Sequence, residues 1–203
     1  MLLAGLGFLL LPLYLFKESV LYKIGTFLMV DQVSGKVDVV VTTSINEKVV
    51  NCYHSGECRK IIVGVSKAGR TWKGNNKKAG TEEDVREQAG RAGIDLKDLF
   101  VVFRPQSEIQ YFSMLETLFL EKNIRSAVFY VGYYRGRRHR FYLDRYFKNK
   151  EIATYVQPAN TGTDYMRNFD RWWENTMLDN LFMDEYLRIF YYYFNKVLWS
   201  SFV

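Results

Sequence analysis

The sequence predicts a three-layer α/β fold with a mainly parallel sheet, and three features support this. After Asp31, short β-branched and aromatic runs alternate with amphipathic stretches, an order that is typical of parallel strands connected by helices. The run SAVFYV is almost continuously apolar, as expected for a strand buried between two layers. The chain of 203 residues is 48% hydrophobic, which is sufficient for one domain with a substantial core.

The individual elements follow from these periodicities. Strands are predicted at residues 37–41, 60–65, 99–103, 126–131 and 152–156. Helices are predicted at residues 44–54, 82–92, 107–121, 135–148 and 175–195. Thr81 precedes three acidic residues, which predicts an N-cap followed by side chains that complement the helix dipole. The loop 66–80 is too long for a simple connection and is interpreted as a mobile lid or, by preference, as an insertion without regular structure.

The first 16 residues carry no charge and are typical of a membrane segment. As a helix they would rise about 24 Å, short of the roughly 30 Å hydrocarbon core of a bilayer. Continuation through Lys17 and Lys23 to residue 30 would lengthen the span if both lysines extend to the interface. A cleaved signal peptide and a buried core helix are the alternatives. We expect a transmembrane anchor with its juxtamembrane segment at residues 1–30 and a single α/β domain at residues 31–203.

The aromatic-rich segment 175–195 predicts an amphipathic helix. One stripe of this helix consists of Leu178, Phe182, Glu185, Ile189 and Tyr193, with Leu181 and Tyr186 beside it. We interpret this stripe as a face that packs on the sheet. The alternative is contact with a membrane or a partner through Tyr191, Tyr192 and Trp199.

Positive charge is concentrated in one part of the chain. The formal net charge is +6, yet residues 124–150 alone contain six Arg and two Lys against one Asp. Such asymmetry predicts an anionic partner, either a phosphate, a membrane surface or a nucleic acid. Nucleic acid is not expected, because no recognisable nucleic-acid-binding motif accompanies the charge.

The basic residues follow the predicted strand 126–131 and begin the predicted helix 135–148. Ligands of open α/β sheets bind just past the carboxyl ends of the strands. A helix that starts there offers free backbone N–H groups and a positive dipole end, so this tract predicts anion binding. The alternative is a basic face that lies in solvent or against anionic lipid headgroups.

The two cysteines, Cys52 and Cys58, flank His54. Because the chain has only two histidines, a zinc site would need carboxylates to complete its ligands, and no metal is expected. A local disulfide in an oxidising compartment and two free thiols both remain open.

Three segments together resemble a known family. Residues 13–44, LYLFKESVLYKIGTFLMVDQVSGKVDVVVTTS, have the order of an anchor, a short amphipathic stretch and a first strand. Residues 126–141 place tyrosine and arginine after a strand, and residues 172–193 combine Trp-Trp with an Asp-Glu-Tyr-Leu-Arg helix. In order and spacing these segments resemble the YdcF/SanA/ElyC-like family, a domain of unknown function in bacterial envelope proteins. The resemblance implies a Rossmann-like three-layer sandwich behind an N-terminal membrane-anchor helix.

The resemblance also implies a ligand pocket at the carboxyl ends of the strands. Its expected ligand-binding positions are Thr42, Thr43, Ser44, Gly64, Arg104, Ser107, Gly132, Tyr134, Arg135, Arg137 and Arg138. Ser107, Tyr134 and the pair of arginines at 137 and 138 match the family directly. At other positions this chain differs from the family. Hydroxyl residues stand in place of a glycine run after the first strand, and a segment that begins with Gly64 stands in place of a Ser-Gly-Gly. Gly132 stands in place of a threonine.

Two replacements change the chemistry that the resemblance implies. Arg104 stands where the family has an acid, and Arg135 stands where it has a histidine. Histidine titrates near neutral pH, whereas arginine keeps its proton. The pocket is therefore expected to bind anions with weak or no catalysis. His54 and His139 are the remaining candidate bases.

The resemblance thus implies a membrane-anchored protein of the bacterial cell envelope that binds a phosphorylated ligand, either a polyprenyl phosphate or a nucleotide-like compound. No definite cofactor is implied. The expected location is the inner membrane, with one span and an extracytoplasmic domain, although Lys17 and Lys23 favour the cytoplasmic side. The alternatives are an enzyme with a shifted active site that acts on phosphoesters through Ser44 or Ser107 and one histidine, and a non-catalytic scaffold on the membrane surface.

Overall fold

The computed structural model describes residues 16–32, 35–66, 81–159 and 169–200. The chain divides into two compact units, one of residues 30–161 and one that combines residues 1–29 with residues 162–203. Most of the uncharged N-terminal segment and nearly all of the loop 66–80 lie outside the described residues, as does the side chain of Trp199.

Strands and helices alternate in unit 30–161 in the predicted order. The strands are β1 (Val37–Thr42), β2 (Cys58–Ser66), β3 (Leu99–Arg104), β4 (Ser126–Val131) and β5 (Ala153–Pro158). The helices of the described residues, in order, are α1 (Lys17–Leu28), α2 (Glu47–His54), α3 (Glu82–Arg91), α4 (Glu108–Glu121), α5 (Gly136–Phe147) and α6 (Thr176–Ser200). All five predicted strands and all five predicted helices are confirmed, with bounds that differ by a few residues.

The five strands form one parallel sheet in the order β3-β2-β1-β4-β5. Connections between parallel strands are right-handed. With this strand order they place α2 and α3 on one face of the sheet and α4 and α5 on the other face. The two hydrophobic cores contain the helices in these same pairs. The arrangement is Rossmann-like and confirms the predicted α/β class, with the switch point between β1 and β4.

The strands contribute residues to both cores in alternation. Val40 and Val128 belong to the core under α2 and α3, whereas Val39, Val41 and Phe129 belong to the core under α4 and α5. All five side chains are buried. Burial on both faces explains why these strands read as nearly continuous apolar runs in the sequence.

Helix α2 begins three residues later than predicted. The side-chain oxygen of Asn46 accepts a hydrogen bond from the N–H of Val49 at 3.0 Å, and Asn46 itself has an extended backbone. This N-cap satisfies a free N–H group and sets the start of the helix at Glu47. The predicted cap of α3 is confirmed, because the hydroxyl of Thr81 accepts from the N–H of Asp84.

In the smaller unit, α1 and α6 pack around Trp172. The indole N–H donates to the carbonyl oxygen of Leu21 at 3.0 Å, and the ring stacks on Phe182 at a centroid distance of 4.6 Å. The predicted inner stripe of α6 is buried at four positions, Leu178, Phe182, Glu185 and Ile189. Tyr193 is 63% exposed, so its assignment to this stripe was wrong. Among the helices of the described ranges, none combines the length and the apolarity needed to cross a membrane.

Candidate functional site

The basic residues converge where β3 and β4 end and where α4 and α5 begin. Arg104 is the last residue of β3, Glu108 is the first residue of α4, and Arg138 is the third residue of α5. Because the strands are parallel, these ends lie on the same edge of the sheet, where α/β proteins bind ligands. The first turns of both helices also direct backbone N–H groups to this edge.

Glu108 joins two of the arginines. Its Oε1 atom accepts a hydrogen bond from Nη2 of Arg104 at 3.4 Å, and its Oε2 atom accepts one from Nη1 of Arg138. The side chains of Arg104, Glu108 and Arg138 are 23%, 16% and 5% exposed. Water therefore screens these contacts little, and the carboxylate orients both guanidinium groups.

Arg135 adds a third guanidinium group beside these two. Its side chain lies over the ring of Tyr134, with 5.2 Å between the guanidinium carbon and the ring centroid. Burial lowers the pKa of Arg104, and the positive charges of Arg135 and Arg138 lower it as well. The three cations are therefore close enough to repel one another. We call Arg104, Arg135 and Arg138 the arginine cluster.

Tyr111 of α4 packs beneath this cluster. The guanidinium carbon of Arg104 lies 5.2 Å from the centroid of its ring. A Cβ atom at Gly64 would lie only 2.8 Å from the Tyr111 hydroxyl oxygen, so the glycine leaves room for this ring. Burial raises the pKa of Tyr111 to about 12, and its hydroxyl stays protonated at neutral pH. Gly64 is itself buried and has a packing role here.

The hydroxyl residues predicted at the end of β1 differ in their exposure. Thr42 is buried, and its hydroxyl donates to the carbonyl oxygen of Ser44 at 3.1 Å, within the same turn. Thr43 and Ser44 are exposed. Of these three side chains, only the latter two are open to a ligand in solvent.

The remaining predicted positions surround the starts of α4 and α5. Ser107 is the N-cap residue of α4, and its side chain makes no capping hydrogen bond. Gly132 accepts a hydrogen bond from the N–H of Arg135 at 2.8 Å, which closes the turn before α5. Tyr134 lies in this turn and Arg137 in the first turn of α5, both partly buried. The structure thus gathers the predicted residues of β3, α4, β4 and α5 at one edge.

His139 lies at this edge but is not available as a base. Its side chain is buried, and its Nδ1–H donates to the carbonyl oxygen of Arg135 at 3.1 Å. Burial lowers the pKa of His139 to about 3, and the charges of Arg138 and Arg104 add to the effect. The imidazole is therefore neutral and weakly basic. The tract is accordingly not a uniform solvent-exposed basic face, because Arg138 and His139 point inward.

The other histidine belongs to a different part of the fold. His54 is the last residue of α2, and its Nε2–H donates to the carbonyl oxygen of Ala92 at 2.8 Å. Because α2 runs back from the carboxyl edge, its end lies at the amino edge of the sheet. His54 is therefore excluded as a base for the arginine cluster.

Glu108 and Tyr111 were not among the residues predicted for the site. Glu108 lies four residues after Arg104, which is the spacing of an ion pair on one helical turn. An acidic residue in the first turn of a helix is, however, already explained by the helix dipole. Tyr111 has the spacing of an ordinary core residue of α4.

A cavity of about 370 Å³ lies on the opposite face of the sheet, beside α2. The ammonium group of Lys48 borders it, donating to the carbonyl oxygen of Pro158 at 3.0 Å and lying 4.6 Å from the ring centroid of Tyr130. Cys52 also borders it and is bonded to Cys58 in a disulfide, with 5.4 Å between the Cα atoms. Within the described ranges, no group of three or more His, Cys, Asp or Glu side chains is arranged to hold a metal ion.

Together, the sheet order and the arginine cluster define a Rossmann-like α/β protein with a basic site at the carboxyl edge. No protein-family model matches the chain, and no curated protein matches it. Among solved structures, the chain is similar to a protein in the NADB-Rossmann superfamily from Streptococcus agalactiae, with 14% sequence identity and a TM-score of 0.37. The match covers 67% of this chain and 50% of that one. The chain thus spans half the length of that structure.

Proposed function

We propose that unit 30–161 binds a phosphorylated ligand at the arginine cluster. The observation that carries this proposal is the crowding of three guanidinium groups at the carboxyl edge of a parallel sheet. Burial is the main cause of the lowered pKa of Arg104, and the charges of Arg135 and Arg138 lower that pKa further, so each charge disfavours the others. A bound phosphate would offset this repulsion. One guanidinium group can donate two parallel hydrogen bonds to the oxygens of a phosphate.

The surroundings of the cluster favour an anion over other ligands. Helices α4 and α5, of 14 and 12 residues, begin at this edge, and their dipoles add positive potential there. The carboxylate of Glu108 already occupies one position between Arg104 and Arg138. A ligand phosphate would therefore bind beside this carboxylate and not between these two arginines.

Binding with weak or no turnover fits the chemistry of these residues. His139 is neutral and weakly basic, with a pKa of about 3. General acid and base catalysis needs a group whose pKa lies near the working pH. The proposal therefore assigns the cluster to recognition.

The family resemblance extends the proposal to a setting and to two ligand classes. The setting is a membrane-anchored protein of the bacterial envelope, and the ligands are a polyprenyl phosphate or a nucleotide-like compound. Both ligands present a phosphate and differ in the attached group. A comparison of their affinities therefore distinguishes them.

The test is a thermal-shift titration of the full chain with inorganic phosphate, a nucleotide and a short-chain polyprenyl phosphate, and with S-adenosylmethionine as a nucleotide-like compound that has no phosphate. A ligand at a hundred times its Kd stabilises the folded state by about 2.7 kcal/mol, which raises Tm by roughly 5 to 10 °C for a chain of this size. The double variant Arg104→Gln with Arg135→Gln should lose this ligand-induced shift. The shift of the double variant is measured from the Tm of that variant without ligand.

Arg91→Gln is the matched control, because Arg91 ends α3 at the amino edge and its side chain is 72% exposed. This variant should retain the full ligand-induced shift. The proposal fails if no phosphorylated compound stabilises the wild-type chain, or if the double variant responds as strongly as the control.

A further inference from the structure

Helix α6 has a second apolar stripe in addition to its buried one. Its members are Met183, Leu187, Phe190, Tyr191 and Phe194, whose side chains are 52%, 65%, 66%, 71% and 54% exposed. Their spacing of four, three, one and three residues places them on one side of an α-helix, roughly opposite the buried stripe. Asp184 and Arg188 pair at 2.7 Å on the flank of this outer stripe. The helix is thus apolar on two sides and polar between them.

Helix α1 carries a matching stripe. Phe16, the N-cap residue of α1, is followed by Val20, Ile24 and Phe27 at spacings of four, four and three residues, and the four are 62%, 37%, 36% and 45% exposed. The two stripes meet at Tyr186 of α6. Its ring stacks on Phe27 at 6.1 Å, and its hydroxyl donates to the carbonyl oxygen of Ile24. The outer faces of α1 and α6 therefore form one apolar surface across both helices.

A contiguous apolar surface of this extent is unusual for a protein that stays in water. Single exposed apolar side chains are ordinary, whereas connected patches mark contact with a partner or a membrane. Here nine large side chains on two helices share one surface. The surface therefore requires an occupant of low polarity.

We propose that this surface lies in the interfacial region of a lipid bilayer. Phe16 is the first residue of the α1 stripe and also the last residue of an uncharged 16-residue segment. A segment of that composition partitions into a bilayer, and it would hold the start of α1 at the membrane surface. The occupant that the sequence itself brings to this face is thus lipid.

The composition of the stripes agrees with an interfacial position. Tyr191 has an apolar ring and a polar hydroxyl, which favours the boundary between acyl chains and headgroups, and phenylalanine is typical of the apolar face of an interfacial helix. A helix in this position lies along the membrane plane with its charged flank in water. The ion pair of Asp184 and Arg188 forms such a flank. This surface acts as a second membrane contact in addition to the N-terminal segment.

The test measures membrane depth by spin labelling of the full chain in phosphatidylcholine vesicles. Single variants Leu187→Cys and Phe190→Cys place the label on the outer stripe, and Asp184→Cys places it on the flank. All three positions are exposed. The native Cys52 and Cys58 are buried and bonded to each other, so the label attaches to the introduced thiol. Two stripe positions are used so that one remains if the other variant does not fold.

Two collision rates of the spin label are measured, one with oxygen, which enters the acyl chains, and one with a water-soluble nickel chelate. The ratio of the oxygen rate to the chelate rate reports membrane depth. The ratio should be at least about threefold higher at the two stripe positions than at the flank, because only the stripe enters the bilayer. Equal ratios would overturn the proposal. Protection at the stripe without vesicles, together with spin–spin broadening between chains, would assign the surface to a second copy and would also overturn it. The result does not depend on ligand binding by the arginine cluster.

Discussion

Replacement of His139 by asparagine is predicted to remove an acid-dependent loss of stability. The imidazole is buried, and its Nδ1–H donates to the carbonyl oxygen of Arg135. Asparagine has a side-chain N–H that can donate to the same carbonyl, but it does not take up a proton near neutral pH. His139→Asn therefore separates the titration of this side chain from its hydrogen bond.

The magnitude follows from the two pKa values of the histidine. The ordinary value is 6.5, and burial lowers the pKa of His139 in the folded state to about 3. Below pH 6.5 the unfolded chain binds a proton that the folded chain does not bind, so stability is complete above that pH and falls as the pH drops toward 3. The loss is about 1.4 kcal/mol per pH unit, or roughly 2 kcal/mol between pH 6.5 and 4.5.

The measurement is urea denaturation of the full chain at pH 6.5, 5.5 and 4.5. Wild type should lose roughly 2 kcal/mol of unfolding free energy across this range, and His139→Asn should lose clearly less. His54→Asn is the control, because it removes the other histidine of the chain, which is exposed. If wild type and His139→Asn lose stability equally, His139 is not buried in its neutral form and the reasoning is refuted.

Two further predictions concern the contacts beneath the arginine cluster. Gly64→Ala should lower the free energy of unfolding by about 1 to 3 kcal/mol, because its Cβ would lie 2.8 Å from the hydroxyl oxygen of Tyr111. Tyr111→Phe in the same chain should recover part of this loss in urea denaturation, and no recovery would contradict the clash. Glu108→Ala should cost about 3 kcal/mol, because it removes a carboxylate between two largely buried guanidinium groups. Glu87→Ala breaks an ion pair whose glutamate is 61% exposed and should cost about 0.5 kcal/mol or less; similar costs for the two variants would count against the buried pairing.

The sheet could be predicted from the sequence because of the way its strands are buried. β4 was predicted with its observed bounds, Ser126–Val131, since a strand covered on both faces reads as a short apolar run between polar boundaries. The start of α2 was missed because Ser44 is as good a capping residue as Asn46 in the sequence. The observed cap depends on a backbone conformation that the sequence does not specify.

The site could be predicted only in its location. The position of Arg104 and of the arginine tract follows from the strand ends, so their meeting at one edge was expected. The contact between Glu108 and Arg138 spans 30 residues and forms only because α4 and α5 pack side by side. The burial of His139 has the same origin, since its ring packs against Phe112 of α4 at 5.7 Å. Local periodicity contains no information about such contacts.

In Rossmann-like folds the phosphate usually approaches the first βα turn, where glycines allow close contact with the backbone and the helix N-terminus is open. In this chain the groups of that turn bond to one another. The Thr42 hydroxyl bonds within the turn, the Asn46 side chain caps α2, and Glu47 places a carboxylate in the first turn. An anion at β1 would therefore meet a capped helix and a like charge. Because the cations gather instead at the ends of β3 and β4, recognition of an anion by this fold would depend on guanidinium side chains more than on backbone N–H groups.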